Sequence, residues 1–144
     1  MRLPFYETWS IEVPGVVPID VAARLEGRLT SWGERGWRGS VDHRGFAVTW
    51  KVRFVQNSFG PTFYGELTET PEGTQVDVTA TLDPFVAFFG LGVVVLLGRA
   101  FAFAGDALAV AIVVVGVGLL AGAAFYLGVR MQTARLEHAL RGDP

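Results

Sequence analysis

Residues 107–129 read ALAVAIVVVGVGLLAGAAFYLGV, 23 consecutive residues without a charge. At 1.5 Å per residue such a helix is roughly 34 Å long, enough for a hydrocarbon core of about 30 Å. A transmembrane helix is therefore expected over 107–129, and the rest of the chain is read relative to it.

Upstream, residues 85–98 are apolar, and continuing through Arg99 to Ala104 gives a second 20-residue segment. Arg99 then lies near its far end, where a long side chain reaches the headgroups. Gly105-Asp106 reads as a turn, with Asp106 capping the second helix. The expectation is a transmembrane hairpin over 84–129, with spans 85–104 and 107–129. A re-entrant or interfacial first segment is the alternative.

Nineteen of the 26 charged side chains precede Pro84, and between 85 and 129 only Arg99 and Asp106 are charged. One uniform globular domain does not have this distribution. Residues 1–83 instead read as a water-soluble module. The net charge of −2 argues against a nucleic-acid partner, which calls for a strong basic patch. The absence of cysteine excludes disulfides, thiol catalysis and thiolate metal sites.

Within 1–83 the apolar residues alternate with period two. Phe46, Val48, Trp50, Val52 and Phe54 share one face, as do Val76, Val78, Ala80 and Leu82. Weaker strands are expected over 62–70, 37–41 and 5–13. Asp42-His43-Arg44-Gly45 and Pro71-Glu72-Gly73 supply turns. Residues 18–32 change period: Val21, Ala22, Leu25, Leu29 and Trp32 recur at helical spacing, with Asp20 as a candidate cap and Gly33 as a stop. The fold class is thus α+β: an antiparallel sheet of about five strands in the order β-α-β-β-β-β, with one packed helix. This resembles the cystatin-like order in topology alone.

Residues 130–144 read as a short basic tail that can prolong the second helix. Its Arg130, Arg135 and Arg141 face a loop carrying Arg99 alone, so positive-inside logic puts both termini in the cytoplasm of a multi-pass inner-membrane protein. Residues 1–10, MRLPFYETWS, contain no apolar run of secretory type, in keeping with that orientation. Arg99 and Arg130 are the interface anchors. Gly118 and Gly122 form a GxxxG motif, and Ala111 continues its ridge. Two partners suit such a small-residue face: a second copy of the chain, or the chain's own first helix. At the junction, Asp83 and Pro84 are the favoured N-cap and first-turn residues, so strand and span are expected to meet without a flexible linker.

Residues 54–89 resemble a stretch of small uncharacterised bacterial membrane proteins. Those pair an Asn-Ser-Phe-x-Pro-x-x-x-Gly segment with a β-hairpin and then an apolar two-helix hairpin. The matching positions are Asn57, Ser58, Phe59, Pro61, Gly65, Gly73 and Leu82-Asp83-Pro84-Phe85; Gln56 stands where a basic residue is expected. The resemblance implies the same two-part architecture and no activity.

No catalytic, metal-ligating or cofactor-binding constellation emerges. His43 and His138 lie in different modules. Asp42 and His43 are neighbours in a turn signature rather than a dyad. The cluster of Arg24, Arg28, Arg35, Arg38, Arg44, Lys51 and Arg53 reads as a solvated face or as a surface for anionic lipid. Tryptophans 9, 32, 37 and 50 read as core or as the lining of a ligand pocket between helix and sheet. The function expected is that of a non-enzymatic, membrane-anchored binding or adaptor protein. It would need no cofactor, and would associate with the lipid bilayer and with itself or a membrane-protein partner. The alternative is an oligomeric pore or transporter-accessory protein built from the hairpin.

Overall fold

The computed structural model of the chain describes residues 5–30, 34–51, 60–82, 84–105 and 107–142, with backbone alone for 84–87. Its elements are β1 (Tyr6–Pro14), α1 (Pro18–Glu26), β2 (Gly36–Val41), β3 (Gly45–Lys51), β4 (Pro61–Thr70), β5 (Gly73–Leu82), α2 (Pro84–Phe103) and α3 (Ala107–Arg141).

The strands form one antiparallel sheet in the spatial order β1-β5-β4-β3-β2. The last four make a meander, and β1 closes against β5. Consecutive strands β1 and β2 are therefore at opposite edges, and α1 between them crosses the width of one sheet face. The alternation sets which face that is. Val48, Phe63, Val76 and Val78 are essentially solvent-free beneath the helices, while Thr49, Tyr64 and Asp77 are on the other face. Gly65 lets the Phe46 ring lie flat across β4: a Cβ there would stand 2.1 Å from the ring. Val52 and Phe54, expected to prolong β3, lie outside the described residues, as do Asn57, Ser58 and Phe59.

Helix α1 is shorter than the 18–32 periodicity suggests. It ends at Glu26, and Gly27 occupies its C-cap. Leu29 leaves the helix and bridges Trp37, with the Thr30 N–H donating to the Trp37 carbonyl at 2.8 Å. Edge strand β2 thus competes with the helix for this segment. The N-cap is Val17 with Pro18 behind it, and not Asp20, which sits in the first turn where its charge suits the helix dipole.

The largest departure from expectation concerns residues 130–144. Ala107–Arg141 is one unbroken 35-residue helix, about 52 Å long. Through Ala107–Ala124 no described residue is buried: Leu108, Ile112, Leu119 and Leu120 stay 63% to 73% exposed. From Phe125 the character changes. Phe125, Val129, Gln132, Leu136, Ala139 and Leu140, spaced three and four apart, are buried, and all but Gln132 join the sheet's core cluster. The expected basic tail is a core element, and the sheet carries two helical segments where one was expected. The physical reason is area: the nine residues of α1 cannot cover the apolar face of five strands. Gly128 passes Pro61 so closely that a Cβ would meet the ring at 3.3 Å. At the far end the Arg24 guanidinium donates to the Arg141 carbonyl at 2.7 Å, satisfying one of the terminal carbonyls of α3.

Helices α2 and α3 run antiparallel from the Ala104–Gly105 turn, where Gly105 takes a left-handed φ of 74°. Among the described residues one helix, Ala107–Arg141, is long and apolar enough to cross a membrane; Phe88–Phe103 is a shorter apolar helix. Asp106, the expected cap, lies outside the described residues.

The sheet's outer face carries one acid-sensitive element. Ser10 Oγ donates to Asp77 at 2.5 Å across the β1–β5 pair, and Gln75 Nε2 donates at 3.0 Å. The Ser10 bond first, and the Gln75 bond second, hold the Asp77 carboxyl below its ordinary range. A lowered native pKa gives stability that is present above the unfolded pKa and lost as pH falls through the native one. Below about pH 4 the domain should therefore lose part of its stability. Asp77→Asn should flatten that acid limb while leaving the neutral-pH fold intact, as read by thermal unfolding from pH 7 to pH 3.

Candidate functional site

The second half of α3 lies along the sheet like a beam, and a cavity opens on each side of it. On the β1 side the lining includes Glu7, Trp9, Tyr126, Arg130 and Glu137, around a volume of about 380 Å³. The strand pleat puts Glu7 and Trp9 on the helix-facing side of β1, and the spacing of Tyr126, Arg130 and Glu137 puts them on one flank of α3. This lining carries both signs of charge. Arg130, expected as an interface anchor, lies here, exposed and one turn past the half-exposed Tyr126.

On the other side lies a cavity of about 370 Å³ between the β2–β3 edge and α3. Its floor is aromatic. Trp37 is buried and meets Trp50 edge to face at 5.2 Å and Phe63 at 5.8 Å. Above the floor, the Arg135 guanidinium stacks on the Trp50 ring, 4.7 Å from its centroid. Arg28, Thr30, Arg35 and His138 complete the polar lining. No carboxylate lines this cavity among the described residues. In a chain of net charge −2, three arginines thus line one hollow. The Trp50 indole N–H, withdrawn from solvent, has no acceptor among the described residues. Such a buried donor costs about 1–3 kcal/mol when unpaired.

Neither cavity was anticipated in detail. The aromatic half was legible, since Trp9, Trp37 and Trp50 fall on core-facing positions. The cationic half was not, because Arg135 and His138 sit in the segment expected to be a tail. The signal that locates them is the 3,4 spacing starting at Phe125, which puts Arg135 one position before Leu136 and so on the flank of the buried stripe.

The other candidate residues are dispersed. Asp42 accepts from the N–H groups of Arg44 at 2.6 Å and Gly45 at 3.0 Å, which close the β2–β3 turn and hold its carboxyl below the usual range. Asp42 and His43 are turn residues. Among the described residues of the arginine cluster, Arg24 reaches the end of α3, Arg38 donates to the Glu34 carbonyl at 3.4 Å, and Arg44 is in the turn; Arg53 lies outside the described residues. Arg99 is exposed near the end of α2. Gly118 and Gly122 meet no atom of α2 within 4 Å of an added Cβ among the described residues, and Ala111 is exposed. Asp83 lies outside the described residues, and Pro84 opens α2. No group of three metal-ligating side chains occurs among the described residues.

Comparison of the chain with protein-family models, with curated proteins and with solved structures finds no match.

Proposed function

We propose that the chain is a membrane-anchored binding module. In this reading the α2–α3 hairpin spans the bilayer twice, the sheet domain stands at the cytoplasmic face with both termini, and the cavities flanking α3 receive a ligand or partner. One observation carries it: α3 is lipid-like in exposure along its first half and domain core along its second. Water would leave Leu108, Ile112, Leu119, Leu120, Phe88 and Phe103 as a large exposed apolar surface, far beyond isolated apolar side chains. A bilayer covers that surface and leaves the sheet domain wet.

The absence of cysteine makes the topology directly testable. Single cysteines at exposed Glu72, in the β4–β5 turn, and at exposed Ala104, between the helices, should differ in labelling by an impermeant maleimide on intact cells. Ala104→Cys should label and Glu72→Cys should not. Equal labelling of both would remove the two-span reading, and the reverse pattern would invert the orientation.

The open Gly118 and Gly122 positions favour contact with a second copy over contact with α2. The double substitution to Leu, which removes close backbone approach, should shift the oligomeric state in detergent toward monomer. It should leave the thermal transition of the sheet domain where it was. An unchanged oligomeric state, measured by native mass spectrometry, would remove the contact.

A further inference from the structure

We propose that the cavity between the β2–β3 edge and α3 binds a phosphate monoester, with its dianionic head held between Arg35 and Arg135. The proposal rests on the reading of the sheet domain as a binding module and adds the class of ligand. Three observations converge on one hollow. Three arginines line it beside Thr30 and His138, with no carboxylate among the described residues. One of those groups, Arg135, lies over the Trp50 ring, and a guanidinium can fork onto two oxygens of an anion. The volume, about 370 Å³, lies in the range of small-molecule sites.

The charge count selects phosphate over carboxylate. A carboxylate satisfies one bidentate guanidinium and leaves Arg35 and Arg135 sharing a single negative charge. A phosphate monoester brings close to two negative charges and three terminal oxygens. Arg28 and Arg35 approach from the α1–β2 side and Arg135 from α3, so the head would bridge two elements of the domain. Trp50 and Trp37 would lie beneath the apolar part of the ester.

A soluble ester and a lipid headgroup offer the same chemistry. Arg135 lies ten residues beyond Phe125, about 15 Å along α3 from where the helix enters the domain. That height favours a soluble ester. The two sources separate in nanodiscs. The full chain is placed in phosphatidylcholine discs, with or without phosphatidic acid, and phenyl phosphate is titrated against tryptophan fluorescence. The expected result is a saturable change with the same midpoint in both discs, weakened by added salt. Arg35→Gln and Arg135→Gln should each weaken it about tenfold, the loss of a charge-assisted hydrogen bond. Arg44→Gln removes the same charge from the β2–β3 turn and should leave the midpoint unchanged. A midpoint raised in the phosphatidic acid discs alone would assign the site to the lipid headgroup. An absent or non-saturable change in phosphatidylcholine discs, or a midpoint that Arg35→Gln and Arg135→Gln leave in place, overturns the proposal. Carbonate extraction of the same variants reads membrane insertion separately, so a failed ligand leaves the anchor reading standing and a failed anchor is seen as such.

Discussion

Leu136→Ala should destabilise the sheet domain by about 2–5 kcal/mol, the cost of emptying a fully buried leucine site. Leu136 is followed by eight residues of the sequence, in the stretch expected as a short basic tail prolonging the second helix, and it is wholly buried. It belongs to the α3 stripe that covers the sheet beside α1. Leu136→Asp should have a larger effect, since a carboxylate there has no partner and no water. Thermal unfolding followed by near-ultraviolet circular dichroism reports the domain directly, because Trp37 and Trp50 lie in its core cluster. If Leu136→Ala unfolded at the wild-type temperature, the end of α3 would be only resting on the surface. Insertion into membranes should be unaffected in either variant.

Val115→Arg should do the reverse. Val115 is at the middle of the exposed apolar half of α3, where it is 59% exposed and touches no part of the sheet's core. A charged side chain at the centre of a span costs about 2.5–3.5 kcal/mol on insertion scales, on the order of a hundredfold in the insertion equilibrium. The membrane fraction surviving carbonate extraction should fall sharply. The sheet domain released should still show the wild-type near-ultraviolet spectrum. Undiminished insertion of Val115→Arg would mean that this half of α3 does not cross the bilayer. Taken together the two substitutions divide one helix into two jobs.

The strands were the most legible part of the chain. Val76, Val78 and Ala80 alternate with Gln75, Asp77 and Thr79, and a one-residue slip would send every apolar side chain to water, so pattern fixes register. The pairing Val78↔Gly65 and Val76↔Leu67 follows from it. Helix α1 was legible in kind but not in length, because Leu29 suits a helix face and an edge bridge equally well. Local periodicity cannot say that Trp37, seven residues later, will claim the backbone of Thr30.

The C-terminal segment was misread for a different reason. A long apolar run saturates the hydropathy signal, and residues after it look polar by contrast. Of its apolar residues Leu136 and Leu140 are buried, whereas Met131 is 67% exposed and Ala134 lines the β1-side cavity. The buried face runs through Gln132, a polar residue with its Oε1 unpaired among the described residues. The stripe therefore contains the one residue that hides it. Losing the stripe also loses the candidate site, since Arg135 and His138 gain meaning only when α3 is laid against Trp50.

The coupling between membrane and domain is also relocated by this helix. The short Asp83-Pro84 junction suggested that strand and span are joined rigidly there. In the proposed arrangement the 35-residue helix gives a second connection, because bending it strains its backbone ladder and shifting it opens the core around Leu136 and Leu140. Occupancy of a cavity beside α3 would then bear directly on the tilt of the hairpin.

The most direct test of α3 as a rigid beam is the distance distribution between spin labels at Glu72, on the sheet domain, and Ala104, at the far turn of the hairpin, measured by pulsed electron resonance with the full chain in nanodiscs. The beam predicts a single narrow distribution, and one that stays narrow when six Gly/Ser residues are inserted between Leu82 and Asp83. A broad distribution in the parent chain, or one that broadens on that insertion, would contradict it.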